Sequence, residues 1–289
     1  MDLGIGLPSA IPGNTPEQIF TWARRADRAG FSTLGMLDRL VYGNDESLVS
    51  LGAAAALTER IRLAAILVAP YRNNAALLAK QVATVDRLSG GRTYVAATVG
   101  GREDDFTVSG APYANRGATL ERIVDQMRRI WSDEGADQIG PKPAQRHVPL
   151  LIGGSVDRAL RRAASHGDGW ISGGEPPPLF AVSAGKVRAA WAEHGREGRP
   201  RLVACAYFAL GPGAAEQAAP YLLDYYAFMG PAAALVAGSV LTDAPSLRAA
   251  VHRYEEAGCD ELILMPCLSD PDQVDRLAEA TAVAAMATR

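Results

Sequence analysis

The chain has 289 residues, 48% of them hydrophobic and 21% charged, which excludes a disordered, collagen-like or coiled-coil protein and suits either one α/β barrel, typically about 250 residues, or two domains of modal size. A net charge of −3 argues against sequence-independent nucleic-acid binding, which needs a basic face, and no apolar run reaches the roughly 18 residues of a membrane span. Three cysteines (Cys205, Cys259, Cys267) cannot form a paired framework and Met1-Asp2-Leu3 lacks a basic leader, so a reducing, cytoplasmic setting is expected.

The segment Leu3-Gly4-Ile5-Gly6-Leu7 is a short apolar run closed by Pro8 and reads as a buried strand. Thr15-Pro16-Glu17-Gln18 then opens a helix, with Thr15 as N-cap, Pro16 at the first helical position and Gln18 completing a capping box. Ile19, Trp22, Ala23, Ala26 and Ala29 recur at helical spacing and Gly30 is the expected C-terminal cap. The same alternation continues. Strands are expected at 33–37, 61–69, 92–99, 150–152, 170–172, 202–210 and 261–265. Helices are expected at 46–58, 75–88, from about 116 to Trp131, from Ser155 to His166, up to about His194, over 214–240 with breaks, up to Ala257, and from Asp270-Pro271 onward. The polar stretch 132–149 is the longest irregular segment. Several strands are continuous apolar runs, as parallel strands buried on both faces are. Eight strands alternating with helices predict a single (β/α)8 barrel with insertion loops over residues 1–289; a doubly wound sheet is the alternative, because counting strands does not prove closure.

In a barrel the chemistry sits at the C-terminal ends of the strands. Glycine pairs end the fourth, fifth and sixth strands: Gly100-Gly101, Gly153-Gly154 and Gly173-Gly174. Glycine lets backbone amides approach a ligand, and Gly153-Gly154-Ser155 leads straight into a helix, where free amides and the helix dipole favour an anion. For one such pair alone, a tight turn with Ser155 as a plain N-cap is the better explanation; three on one rim point to a phosphorylated ligand. None of the four histidines, His147, His166, His194 and His252, falls at a strand end, and no metal-ligand spacing is present. Cys267 lies near the rim and reads as a buried, unreactive thiol. A rim with phosphate-binding turns and few acid–base groups predicts that a cofactor carries the chemistry.

The chain resembles the bacterial luciferase-like flavin-dependent oxidoreductases. The resemblance rests on short pieces in order: Leu57-Thr58-Glu59-Arg60-Ile61-Arg62-Leu63, Leu78-Ala79-Lys80-Gln81, Asp86-Arg87-Leu88-Ser89-Gly90-Gly91-Arg92, Gly101-Arg102-Glu103-Asp104-Asp105-Phe106 with Arg116-Gly117, and Leu151-Ile152-Gly153-Gly154 leading to Gly167-Asp168-Gly169-Trp170. It implies a barrel with an insertion and a reduced flavin, or its deazaflavin relative, across the strand ends. The cofactor phosphate is then expected on Gly153, Gly154 and Ser155, with Arg102 near it and Gly100, Gly101, Gly173 and Gly174 contributing. Val68-Ala69-Pro70 matches a strand end that passes under the flavin ring and is often strained, so Ala69 and Pro70 join the expected cofactor contacts. Asp38 matches a family acid; it is followed by Arg39 where related chains often have histidine. Asp38 is therefore either a catalytic hydrogen-bonding group or a cap or salt bridge to Arg39. Glu103 is either an acid–base residue or a charged loop residue. Arg60, Arg87 and Arg92 read as ion-pair residues on the opposite, N-terminal face.

The leading expectation is a two-component monooxygenase acting on a small organic substrate with reduced FMN and oxygen, the FMN supplied by a separate reductase because the chain carries no nicotinamide fingerprint. The alternatives are hydride transfer with the deazaflavin coenzyme F420, and a flavin-binding protein without turnover. No metal is expected. The resemblance implies a homodimer, with the alanine-rich helix 46–58 as a packing surface. Loops 40–50, 102–115, 132–148 and 211–243 are expected to shape the pocket. Tyr221, Tyr225, Tyr226 and Phe228 either line it or pack within a helix.

Overall fold

The computed structural model describes residues 1–132 and 139–282. Eight parallel strands, β1 (Asp2–Gly6), β2 (Thr33–Leu37), β3 (Arg62–Val68), β4 (Thr93–Thr98), β5 (Leu150–Gly153), β6 (Gly169–Ser172), β7 (Arg201–Phe208) and β8 (Glu261–Pro266), close into a barrel in sequence order. Closure comes from β1 pairing with β8, Asp2 opposite Glu261 and Ile5 opposite Leu264. The doubly wound alternative is therefore set aside. Residues 133–138 of the irregular stretch, and the chain beyond residue 282, lie outside the described residues.

The barrel wall has two apolar faces, and the period-two alternation of each strand separates them. Leu63, Ala65 and Leu67 of β3, with Leu202, Ala204 and Phe208 of β7, point outward into the main core against the helices. Ala64 and Ile66, with Val203, Cys205 and Tyr207, point inward. The inward layer is filled unevenly. Gly4 and Gly35 leave room for Ile263: a Cβ on Gly35 would stand 3.0 Å from its Cγ2, and one on Gly4 3.2 Å from its Cγ1. The glycine-rich β1–β2 side is thus the complement of the bulky β8 side, as close packing demands.

The first helix, α1 (Pro16–Ala29), begins with the expected capping box between Thr15 and Gln18 and ends on Gly30 at φ 90°. The next, α2 (Ser47–Leu57) and α4 (Ala75–Leu88), fall close to their predicted spans. Two short helices were not expected. At the end of β3 the chain turns directly into α3 (Ala69–Arg72), and after β4 it forms α5 (Glu103–Ser109), capped by Gly110 at φ 71°. Both are too short for an apolar periodicity to reveal them. Then come α6 (Arg116–Trp131), α7 (Asp157–His166) and α8 (Pro177–Glu193). The β7–β8 connection carries the insertion: α9 (Ala214–Tyr225), a 3-10 turn (Ala227–Ala232), α10 (Ala233–Ala237) and α11 (Ala244–Glu256). The last helix, α12 (Asp272–Thr281), starts two residues later than its first proline-containing turn suggests. No described helix is long and apolar enough to cross a membrane.

The N-terminal end of the barrel is sealed by one carboxylate. Glu261 is fully buried and accepts hydrogen bonds from Ser32 (2.5 Å), Thr33 (2.6 Å), Tyr94 (3.0 Å), Arg62 (3.1 Å) and Arg201 (2.6 Å). Burial alone would raise its pKa; Arg62 and Arg201, with the two hydroxyls, hold it below the ordinary value instead. Of the arginines expected in ion pairs on this face, Arg92 does something else. It donates to the carbonyls of Ser89, Ile61, Ala55 and Thr58, tying the end of α2 to β3 and β4 without a carboxylate. Arg60 likewise donates to the Asp27 carbonyl.

Candidate functional site

A cavity of about 390 Å³ opens at the C-terminal ends of the strands, within the size range of small-molecule sites. Inward side chains Ile66, Ile171, Cys205, Tyr207 and Met265 form its floor. All three glycine pairs border it, as do Ser155 and Arg102. Among the described residues, two of the four loops expected to shape it line it: the 102–115 loop through Arg102 and Asp105, and the 211–243 insertion through Tyr225, Tyr226 and Phe228; residues 133–138 of the 132–148 loop lie outside the described residues. Tyr221 instead packs behind the wall, its ring 5.7 Å from that of Tyr225.

The glycines have different reasons to be glycine. A Cβ on Gly153 would meet Thr98 Cγ2 at 2.6 Å and Ile171 at 3.2 Å, so its requirement is packing between β4 and β6. Gly154 sits at φ 129° and would strike Ala159. Gly173 has nothing within 4 Å of its missing Cβ, and Gly174 has φ 103°. A side chain on Gly173 would project into free space at the rim. The hydrogen-bond pattern completes the cradle. Outside the strand ladder and the α7 helix, the amides of Gly154, Ser155, Val156, Gly173 and Gly174 make no hydrogen bond to described residues. Ser155 is not the helix cap: Val156 holds that position and no side chain caps α7. The Gly154 carbonyl is fixed by the Trp170 indole at 2.7 Å, which orients the turn. Gly154, Ser155 and Val156 thus precede the N-terminus of α7, with Gly173 and Gly174 on the same rim, an arrangement of free amides that can accept an anion.

Asp38 borders the cavity, but its oxygens are taken. Oδ1 accepts from Ser47 Oγ (3.0 Å) and Arg72 Nη2 (2.8 Å); Oδ2 accepts from the Val68 amide (3.1 Å) and Arg72 Nε (3.1 Å). With four bonds on two oxygens, it pins β2, β3 and α2 together. The ion-pair partner is Arg72, not Arg39. Arg39 instead faces Asp105 (3.3 Å) and Asp104 (3.5 Å), while Asp105 also accepts from the Leu40 and Val41 amides.

Three expected residues are not brought to the cavity. Glu103 is the exposed first residue of α5, its carbonyl accepting from Thr107. Ala69 and Pro70 are buried, because the chain turns into α3 at that point; Val68 alone reaches the lining. Val68, the last residue of β3, has φ −87° and ψ 80°.

Two polar features were not anticipated. The hydroxyls of Tyr207 and Tyr226 meet at 2.7 Å in the cavity wall, and burial pushes both pKa values up. The inward parity of Val203, Cys205 and Tyr207 in β7 is the signal that locates Tyr207. Glu175 follows Gly173-Gly174 and carries a carboxyl raised above its ordinary value by burial, with Ser172 and Ser183 as partial relief. Its Oε2 is buried without a partner, and no described cation lies within ion-pair distance. Among the described residues no cluster suits a metal ion. The thiols are inert: burial pushes Cys205 up to about 12 and raises Cys267 further.

A model of the luciferase-like monooxygenase family matches residues 1–288. Over 169 residues the chain is 36% identical to an uncharacterized protein of Mycobacterium tuberculosis, an overlap of 54% of this chain and 59% of that one. A second uncharacterized protein of that organism is 28% identical over 188 residues, 54% of this chain and 65% of its own length. The chain thus spans about six-tenths of these relatives in each match. Among solved structures, an F420-dependent secondary alcohol dehydrogenase with an F420–acetone adduct aligns with a TM-score of 0.83 at 18% identity, covering 98% of both chains. A monooxygenase from Streptomyces bottropensis aligns at 0.77 and 21% identity, covering 99% of this chain and 98% of its own. Both likenesses establish the shared barrel.

Proposed function

The chain belongs to the luciferase-like monooxygenase family, and on that premise we propose that it is an oxidoreductase using reduced FMN and oxygen on a small organic substrate. The observation that carries the reading is the nest of unpaired amides at Gly154, Ser155, Val156, Gly173 and Gly174 on the rim of an apolar cavity. Those amides hold the cofactor phosphate, and Ile66, Ile171 and Met265 give the ring an apolar bed. Reduced flavin, when bound, supplies the electrons that oxygen takes up. The chain's own residues bind, orient and exclude water. The surroundings suit that division of labour: Asp38 and Asp105 are neutralised by arginines and the Cys205 thiol stays protonated. A separate reductase delivers the reduced cofactor.

The Tyr207–Tyr226 pair favours a second reading, hydride transfer with a deazaflavin. In a hydroxyl pair one proton is shared, and the other hydroxyl proton stays free to donate to a carbonyl oxygen in the cavity. Anaerobic titration with reduced FMN and, in parallel, reduced coenzyme F420 tests the two. Preferential FMN binding, with substrate-dependent oxygen consumption, supports the monooxygenase. Preferential F420 binding without oxygen uptake replaces it with hydride transfer. Binding of neither removes both and returns the glycine turns to ordinary barrel corners.

A further inference from the structure

The cavity contains two places for anions, and only one is taken by the proposed cofactor phosphate. The second is centred on Arg102. The other described cation lining the cavity, Arg39, has the carboxylates of Asp105 and Asp104 within 4 Å. Among the described residues, Arg102 has none. Its Nη2 donates to the Tyr225 carbonyl, and this is its single hydrogen bond to the described residues. The guanidinium carries five N–H donors, so most of its edge is unused.

Two aromatic rings lie close to that guanidinium. Its centre lies 4.7 Å from the Tyr225 ring and 4.1 Å from the Phe228 ring. The guanidinium N–H groups not used on the Tyr225 carbonyl are what a carboxylate binds, in a bidentate manner. Arg39 lies near the same ring, its guanidinium centre 5.4 Å from the Tyr225 centroid, with Nη1 buried and without a partner among the described residues in a side chain that is 5% exposed. Burial and the neighbouring Arg39 charge lower the Arg102 pKa, and Asp105 and Asp104, beyond ion-pair distance, offset part of this; an anion placed on the guanidinium edge favours the charged form further. The contact with Tyr225 also directs Arg102 toward the β7–β8 insertion, whereas the amide nest lies at the ends of β5 and β6.

Resting on the cofactor reading above, we propose that the substrate is a carboxylate on a planar apolar body, its charge held by the edge of Arg102 and its body laid against Tyr226 and Phe228. The insertion therefore selects the substrate by charge as well as by shape.

The test uses the full chain with reduced FMN bound anaerobically, and benzoate and neutral benzamide as probes, measured by calorimetry. Benzoate is expected to bind at least about tenfold more tightly than benzamide. Arg102→Gln should erase that preference and leave FMN affinity within about twofold, and Arg102→Lys should keep part of it. Equal binding of the two probes to the native protein overturns the proposal. So does a preference for benzoate that survives Arg102→Gln, which moves the anion to the amide nest. If Arg102→Gln instead weakens FMN by tenfold or more, Arg102 serves the cofactor phosphate and the substrate assignment falls. Failure of the native protein to bind FMN at all is a separate result, and it strikes the cofactor reading.

Discussion

The two ends of the barrel are built from the same eight strands and treat polar groups in opposite ways. At the N-terminal end, Glu261 collects five hydrogen-bonding partners and leaves no lone pair idle. At the C-terminal end, five backbone amides, most of the Arg102 edge and Glu175 Oε2 have no partner among the described residues. Of these groups Glu175 Oε2 is buried, whereas Ser155, Val156, Gly173 and Gly174 are exposed, so their amides are open to water or to a ligand. The difference separates a region whose polar groups are satisfied within the barrel from one whose polar groups remain open to a ligand.

That contrast makes changes at one end visible in denaturation and changes at the other in ligand affinity. The largest effect is expected from Glu261→Ala, which strands Arg62 and Arg201 beside a cavity. It should lower unfolding free energy by about 3–5 kcal/mol, read in urea titrations. Because the Glu261 carboxyl is held below 4.5, its contribution is complete above that unfolded-state value and is lost as pH falls through the lower folded value. A variant of native stability would end the assignment of that end to structure.

Asp38→Asn comes next. The loss of its charge beside Arg72 should cost about 3 kcal/mol, while FMN affinity of the folded protein stays within about twofold. Weakened FMN binding at unchanged stability would return Asp38 to the cofactor.

The paired glycines sharpen the comparison within the rim itself. Gly153→Ala must push Thr98 and should cost about 1–3 kcal/mol of stability. Gly173→Leu fills open space instead, so its stability should hold within about 0.5 kcal/mol while FMN binds about tenfold more weakly. The reverse pattern would show that the nest is not where the phosphate lies.

The smallest effect concerns pH. Ionised Glu175 opposes a phosphate on the neighbouring amides, and its carboxyl titrates above 4.5. FMN affinity should therefore fall a fewfold as pH rises through that raised value, and Glu175→Gln should flatten this part of the profile. An identical profile in the variant would place the phosphate away from Glu175.

Much of the architecture was legible in one dimension. The strand spans, the Thr15 capping box and the Gly30 cap depend on neighbours within a few residues, and the structure has them where the sequence places them. The glycine pairs were legible as rim features for the same reason, since each follows a strand end. Partner choice was not. Asp38 pairs with Arg72, 34 residues away, and not with adjacent Arg39, because the turn into α3 carries Arg72 back over the end of β2. Glu103, Asp104 and Asp105 look alike in sequence, yet one turn of helix exposes Glu103 and buries Asp105 against Arg39. Which glycine faces free space and which faces Thr98, and which tyrosines of the insertion reach the cavity, likewise follow from packing across the barrel. Local hydrogen bonding and side-chain periodicity write the elements into the sequence; closure of the barrel, which brings β1 to β8 and lays the insertion over its mouth, decides what each side chain meets.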